Sequence, residues 1–295
     1  MKTVLRYGVK RVINSLGFDI RRVPRNAAQS EGAVADPVTA EYLPRLRGAT
    51  FFDVPVSHAR AFHAFGLSFD AQVHPFVRAF AAAQRCAGES AQRAALRAAL
   101  ADFYRDVCPA TALDAIDLDQ AAAPGLADMP AIGYLLPWSD KTVAQTIAGR
   151  HLAMKMAGVQ YGRTMTPRDG LTAFGPATPR KIDLETERLF AILSSVAARG
   201  FQPRDPKNPL KVIALRHADS YRWLVEEGQH RFAIAATLDI ATLPALVTQI
   251  VRREDHALWP QVVTGLFTPQ GALTLFDRLF DGRPPAAADR AHDLS

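Results

Sequence analysis

Four consecutive residues, Gly228, Gln229, His230 and Arg231, stand where the β-like run YRWLVE gives way to an Ala-rich helical pattern. Glycine admits positive φ and lets the backbone come close to a ligand. The helix that follows begins with N–H groups that lack intrahelical partners, at the positive end of its dipole. Arg231 adds a permanently charged fork that matches phosphate oxygens. His230 can donate to phosphate or move a proton near neutral pH. Together they form the kind of junction that holds an anionic group, with phosphate as its usual occupant. The same residues also admit a structural reading, in which Arg231 pairs with Glu226 or Glu227 and His230 belongs to an ordinary capping turn.

Carboxylates for acid–base or metal work stand nearby. Glu185 falls four residues before Leu189, at the end of a helical stripe formed by Leu189, Ile192, Leu193 and Val196. That position can turn it towards a core-side cleft, where it would bind a metal or accept a proton from a substrate hydroxyl. Its alternatives are an N-terminal helix acid favoured by the dipole, or a partner for Arg188 or Arg231. Glu187 falls off the stripe. Glu226 and Glu227 precede the anion junction directly. Side chains alternate along a strand, so one of them faces the junction, and Glu226 is the candidate catalytic carboxylate and Mg²⁺ ligand. Arg216 and His217, which end the preceding strand, are further phosphate candidates, with a structural role as the alternative for His217. Lys181 lies in the Pro-containing stretch GPATPRKIDLE, either as a loop residue folding over a ligand or as a surface lysine.

The elements that must position these residues are legible in outline. HPFVRAFAAAQRC (74–86) and ESAQRAALRAALADFYRDV (89–107) are periodic and separated by Gly88, which predicts a helical hairpin. Another helix is expected near 141–158. A helix carrying the Leu189 stripe should end at Gly200. Short strands are expected at 211–217 and 221–226, a helix at 229–238, and a strand at 243–251. Thr268 signals the start of a closing helix, LTLFDRLF. The expected fold class is α+β: a mainly helical region over 41–165, followed by a compact α+β unit over 166–282. Residues 1–25 form a basic amphipathic helix in this reading, 26–40 a linker, and 283–295 a disordered tail.

Charge narrows the function classes. The chain carries a formal +6, but seven of its 35 bases and one of its 29 acids lie in residues 1–25, which leaves 28 of each in the rest. A neutral body argues against a broad duplex-DNA surface. Leu5, Val9, Val12, Ile13 and Leu16 share a face of the N-terminal helix, with Lys2, Arg6 and Lys10 on another. Such a helix can lie on an anionic membrane surface through residues 1–22, or dock on its own protein or a partner. The expected location is cytoplasmic, with peripheral attachment to the inner face of the membrane under the lipid reading. Cys86 and Cys108 have no metal-like spacing and read as reduced thiols.

The ordered segment WLVEEGQHRFAIAATLDIATLPALV, preceded by the helix ETERLFAILSSVAARGF, resembles the ParB/sulfiredoxin-like superfamily. Its members carry a strand, then Gly-x-[His/Arg]-Arg, an Ala-containing helix, and a following Gly and Val-Pro-Val stretch. The resemblance covers about 80 of the 295 residues. It implies binding of a nucleoside triphosphate, ATP or CTP, with Mg²⁺ and phosphoryl transfer in some members. Gly228, His230 and Arg231 would line the phosphates. Gln229 stands where the partition proteins have Glu, which counts against CTP hydrolysis of their type. Their helix-turn-helix domain has no counterpart in the residues after Val251. The closing stretch with Trp259-Pro260-Gln261-Val262-Val263-Thr264-Gly265 is similar to a ParB-like subgroup associated with bacterial surface-polysaccharide clusters; Trp259 is otherwise a core or interface anchor. LGFDIRR is similar to the leader of some methyltransferase-type proteins in such clusters. Three functions follow as expectations: a nucleotide-dependent phosphotransferase or NTPase, a non-catalytic membrane-associated accessory protein, and a DNA-binding ParB-like protein.

Overall fold

The computed structural model of the chain describes residues 37–38, 51–70, 73–202 and 208–286. The expected N-terminal helix with its membrane surface, nearly all of the linker, and the tail beyond 286 lie outside those residues.

The chain is α+β. Six strands form one mixed sheet in the order β1-β6-β4-β5-β2-β3. At its centre β4 (Leu210–His217) and β5 (Ser220–Glu227) make an antiparallel hairpin, and β6 (Thr242–Arg252) runs parallel to β4 on the other side. The LKVIALRH run of β4 is nearly continuous in apolar residues because the strand has neighbours on both sides and is covered on both faces. The sheet is completed from much earlier in the chain. β1 (Phe51–Pro55) pairs antiparallel with β6, β2 (Ala59–Ala61) runs parallel to β5, and β3 (Leu67–Ser68) closes the far edge on β2.

These three strands lie within the region 41–165, where the sequence reading places helices and no strand. They are five, three and two residues long, too short for an alternation to show. They also change how the chain is divided, since strands from both sides of residue 165 share one sheet. The buried core runs from Val54 and Phe80 through Tyr104 to Trp223, Phe232 and Phe276 without a break there.

The helices form where their patterns place them. α1 (Pro75–Gln84) starts with Pro at its first position and buries Phe76, Val77, Phe80 and Ala83. α2 (Glu89–Asp106) buries Leu96, Leu100 and Phe103 along one stripe. After the short α3 (Ala112–Ile116), α4 (Val143–Val159) opens with a Thr142–Gln145 capping box. α5 (Pro179–Arg199) is capped by Thr178 and ends at Gly200. α6 (Gln229–Thr237) follows β5 at once. The short α7 (Pro260–Val263) and α8 (Pro269–Asp281), capped by Thr268, close the chain. Trp259 is a core anchor, 5% exposed, packed against Trp138 and Phe276. Cys86 and Cys108 are unpaired. Among the described residues no helix is long and apolar enough to cross a membrane.

Candidate functional site

The junction between β5 and α6 forms as its residue types require. Gly228 is the residue before the helix and has φ 104° and ψ 19°. A side chain there would be strained by the backbone angle, and its Cβ would stand 2.0 Å from Cδ2 of the buried Leu210. Its carbonyl accepts from the Arg231 and Phe232 amides at 2.9 and 3.0 Å, closing the first turn. Phe232 and Ile234 are completely buried. At about 2 kcal/mol for each large apolar side chain, they fix where the helix begins.

His230 is held from two sides. Its ring lies flat on Phe76, with centroids 4.6 Å apart and planes 9° from parallel. Phe76 is placed in turn by His74, which caps α1 by accepting from the Phe76 and Val77 amides at 3.1 and 3.4 Å. Burial, together with the neighbouring His230, pushes the His74 pKa down to about 3, so His74 stays neutral and keeps accepting. On the other side, His230 Nε2 meets Glu185 Oε2 at 3.1 Å.

Glu185 is wholly buried and heavily engaged. Its Oε1 accepts from Lys181 Nζ at 2.7 Å, from Arg188 at 2.9 Å and from the Thr172 hydroxyl at 3.2 Å. Burial alone would raise its pKa, but Lys181, the His230 hydrogen bond and Arg188 outweigh that and hold it well below the ordinary carboxylate value. Tyr104 donates to the Thr172 carbonyl at 3.0 Å, and burial beside Glu185 pushes its phenol well up. Glu185 is therefore an ionised anchor that orients His230. With both oxygens occupied it is not placed to take a substrate proton.

Above this anchor lies a cleft of about 560 Å³. Arg188, Arg199, His230 and Arg231 border it, with Gly228 at its head and Ile192, Val196 and Ile234 as an apolar wall. Arg199 donates to Ser195 Oγ at 2.6 Å and Arg231 to the Asn208 carbonyl at 2.7 Å. Among the described residues, none of the side chains bordering the cleft is a carboxylate. The arrangement is cationic, open and backed by a helix start, which suits an anionic ligand.

Of the residues picked out by sequence, Gly228, His230 and Arg231 share this cleft and Glu185 supports it from beneath. The others are elsewhere. Gln229 turns back and donates to the Val225 carbonyl at 2.6 Å. Glu226 does not border the cleft; it takes the Thr248 hydroxyl. Glu227 pairs with Lys211 at 2.7 Å. Arg216 and His217 sit at the other end of β4: Lys211 is paired with Glu227, beside the junction, whereas Arg216 is paired with Tyr221. Five residues at about 3.3 Å each put Arg216 roughly 16 Å away. Arg216 donates to the Ala218 carbonyl, and His217 packs on Phe280. Lys181 is a buried residue of α5, not a loop or surface lysine. Glu187 makes a half-exposed pair with Arg93. Among the described residues, no three His, Cys, Asp or Glu side chains are grouped to hold a metal ion.

Arg188 and Arg199 escaped the sequence reading as ligand residues. The signal was present: Arg188, Ile192, Ser195 and Arg199 follow helical spacing, and the supposed core stripe divides between buried Leu189 and Leu193 and cleft-facing Ile192 and Val196. Comparison with protein-family models, with curated proteins and with solved structures finds no match for this chain.

Proposed function

We propose that this chain binds a phosphate-bearing small molecule, a nucleoside triphosphate such as ATP or CTP, in the cleft headed by Gly228. One observation carries the reading: three guanidinium groups and a histidine surround a helix start, with no carboxylate among the described residues of the cleft. Phosphate is the ligand chemistry that uses all of these donors together. The volume of about 560 Å³ suits a small organic ligand. The resemblance to ParB/sulfiredoxin-like proteins points the same way. Mg²⁺ would arrive with the phosphates, since magnesium in such sites takes much of its shell from phosphate and water.

Binding is better supported than turnover. For phosphoryl transfer, Arg188 and Arg231 would stabilise charge on the phosphoryl oxygens and His230 would donate to one of them. Glu185 would act only through His230.

The test is isothermal titration of ATP, CTP, GTP and UTP, each with and without Mg²⁺, into wild type and Arg231→Ala. Binding of at least one nucleotide to wild type, much weakened in the variant, is expected. No binding of any of the four sinks the proposal. Release of phosphate on longer incubation would extend it to catalysis.

A further inference from the structure

A second cleft, of about 770 Å³, lies between α4 and strands β4, β5 and β6, and has no lining residue in common with the cationic one. The sheet is deformed to build it. On one side of β4, Lys211 pairs with Glu227 and Val212 with Val225, so Glu226 is left without a partner opposite. On the other side, Val212 pairs with Val247 and Ile213 with Gln249, which skips Thr248. Bulges of this kind re-aim a side chain and are common beside ligand sites. Here the two displaced side chains meet across β4. The Thr248 hydroxyl reaches the Val212 carbonyl at 3.1 Å and the Glu226 carboxylate.

The rest of the cleft is also specialised. Arg150 stacks over the Tyr134 ring at 3.4 Å and donates to the Ile132 and Tyr134 carbonyls. Phe62 and His63 are consecutive non-glycine residues in the left-handed region, with φ 53° and 45°, and His63 lines the cleft. Each such residue costs on the order of 1 kcal/mol and persists where its surroundings impose it, often at ligand sites. The Trp138 indole N–H is buried in the wall without a partner.

Its charge differs from that of the first cleft. Lys141, Arg150 and Arg252 are set against Asp140, Glu226 and Asp255. Burial, with Arg150 and Lys141 nearby, pushes the His63 pKa down to about 4, so His63 adds no charge near neutral pH. The three cations and three carboxylates cancel. Such a lining favours no ion of either sign. It does interleave donors with acceptors, and a hydroxyl-rich ligand both donates and accepts at each of its groups.

We infer that this cleft binds an uncharged polyhydroxylated molecule, a sugar or polyol, gripped by the Glu226–Thr248 pair. Glu226 accepts from one ligand hydroxyl while the Thr248 oxygen accepts from a neighbouring one. The inference does not depend on phosphate binding at the first cleft.

The chain has three tryptophans, so an amide–nitrogen correlation spectrum has three indole signals. Trp138 and Trp259 line this cleft and Trp223 is buried elsewhere in the core. Glucose, galactose, N-acetylglucosamine and myo-inositol are titrated to tens of millimolar, with glycine and ATP as zwitterionic and anionic probes. At least one neutral probe should shift the Trp138 and Trp259 signals and leave Trp223 in place. Glu226→Gln and Thr248→Val should each weaken that titration by about fivefold or more, the value of one hydrogen bond, with the Trp223 signal unchanged as a check on folding. Silence of the two indoles with every neutral probe overturns the inference, as does a response that neither variant alters, or one produced only by glycine or ATP.

Discussion

Beside α5 and α6, Arg188, Arg199, Arg231 and His230 border one cleft whose described lining holds no carboxylate, Glu185 meeting Arg188 and His230 from beneath, whereas between α4 and the sheet three cations and three acids balance. The two clefts are of comparable size, so volume does not tell their ligands apart. The difference lies in how each obtains its charge. The first takes it from a helical stripe and a helix start, so that three guanidinium groups face a shared space over one buried carboxylate. An anion that binds there stabilises the fold by mass action, so binding and stability are linked. The second adds the polar groups of two bulges to a lining whose formal charges balance, so no ion is needed to neutralise it. One sheet thus supports an ion-seeking surface and an ion-indifferent one.

The contrast can be broken most severely at the buried anchor. Glu185→Ala removes the carboxylate that Lys181, Arg188 and His230 share and leaves Lys181 as a buried cation at 1% exposure. A loss of roughly 3–5 kcal/mol in unfolding free energy is expected from denaturant titration. The same anchor sets an acid limb. Because the Glu185 pKa is depressed in the folded state, its contribution is fully present above the ordinary value of 4.5 and is lost as pH falls below it. Stability measured across that range should fall in wild type and fall less steeply in Glu185→Gln, which has no carboxylate to protonate.

Gly228→Ala comes next. A Cβ at φ 104° and 2.0 Å from Leu210 Cδ2 should cost about 2 kcal/mol in stability and weaken nucleotide binding, while leaving the indole response of the second cleft intact. Arg231→Ala should leave stability within about 1 kcal/mol of wild type, yet weaken nucleotide binding by roughly 10-fold or more, as expected for a charge-assisted phosphate contact. Raising salt should weaken nucleotide binding in the cationic cleft and leave sugar binding in the balanced one nearly unchanged, because screening acts on charge. Arg216→Ala should have the smallest effect, within about 0.5 kcal/mol on either readout, since Arg216 reaches neither cleft.

The sequence made the junction at Gly228 legible because strand, glycine and helix each leave a local mark. The α1–α2 hairpin, α5 with its Gly200 end, and strands β4, β5 and β6 were readable for the same reason. Strands β1 to β3 were not, because β1 and β2 pair with strands more than 150 residues away, β3 joins the sheet only through β2, and their lengths leave no period. Lys181 misled because a lysine after Pro179 reads as exposed, and only the fold reveals the carboxylate one turn on that buries it. Glu226 misled for a different reason. Its sequence distance of two from Gly228 suggested a shared site, but a bulge turned it into the other cleft. Bulges follow from pairing register, which a single strand does not disclose. The second cleft as a whole was invisible, since its walls come from residues 63, 134–153 and 213–260.

The measurement that bears most directly on the phosphate proposal is a backbone amide titration with ATP or CTP and Mg²⁺. The account predicts that the Gly228, Gln229, His230 and Arg231 amides shift first and saturate together, while Glu226, Thr248 and the Trp138 indole stay still. Shifts centred on Glu226 and Thr248, or no saturable shift at the four junction amides, would contradict it.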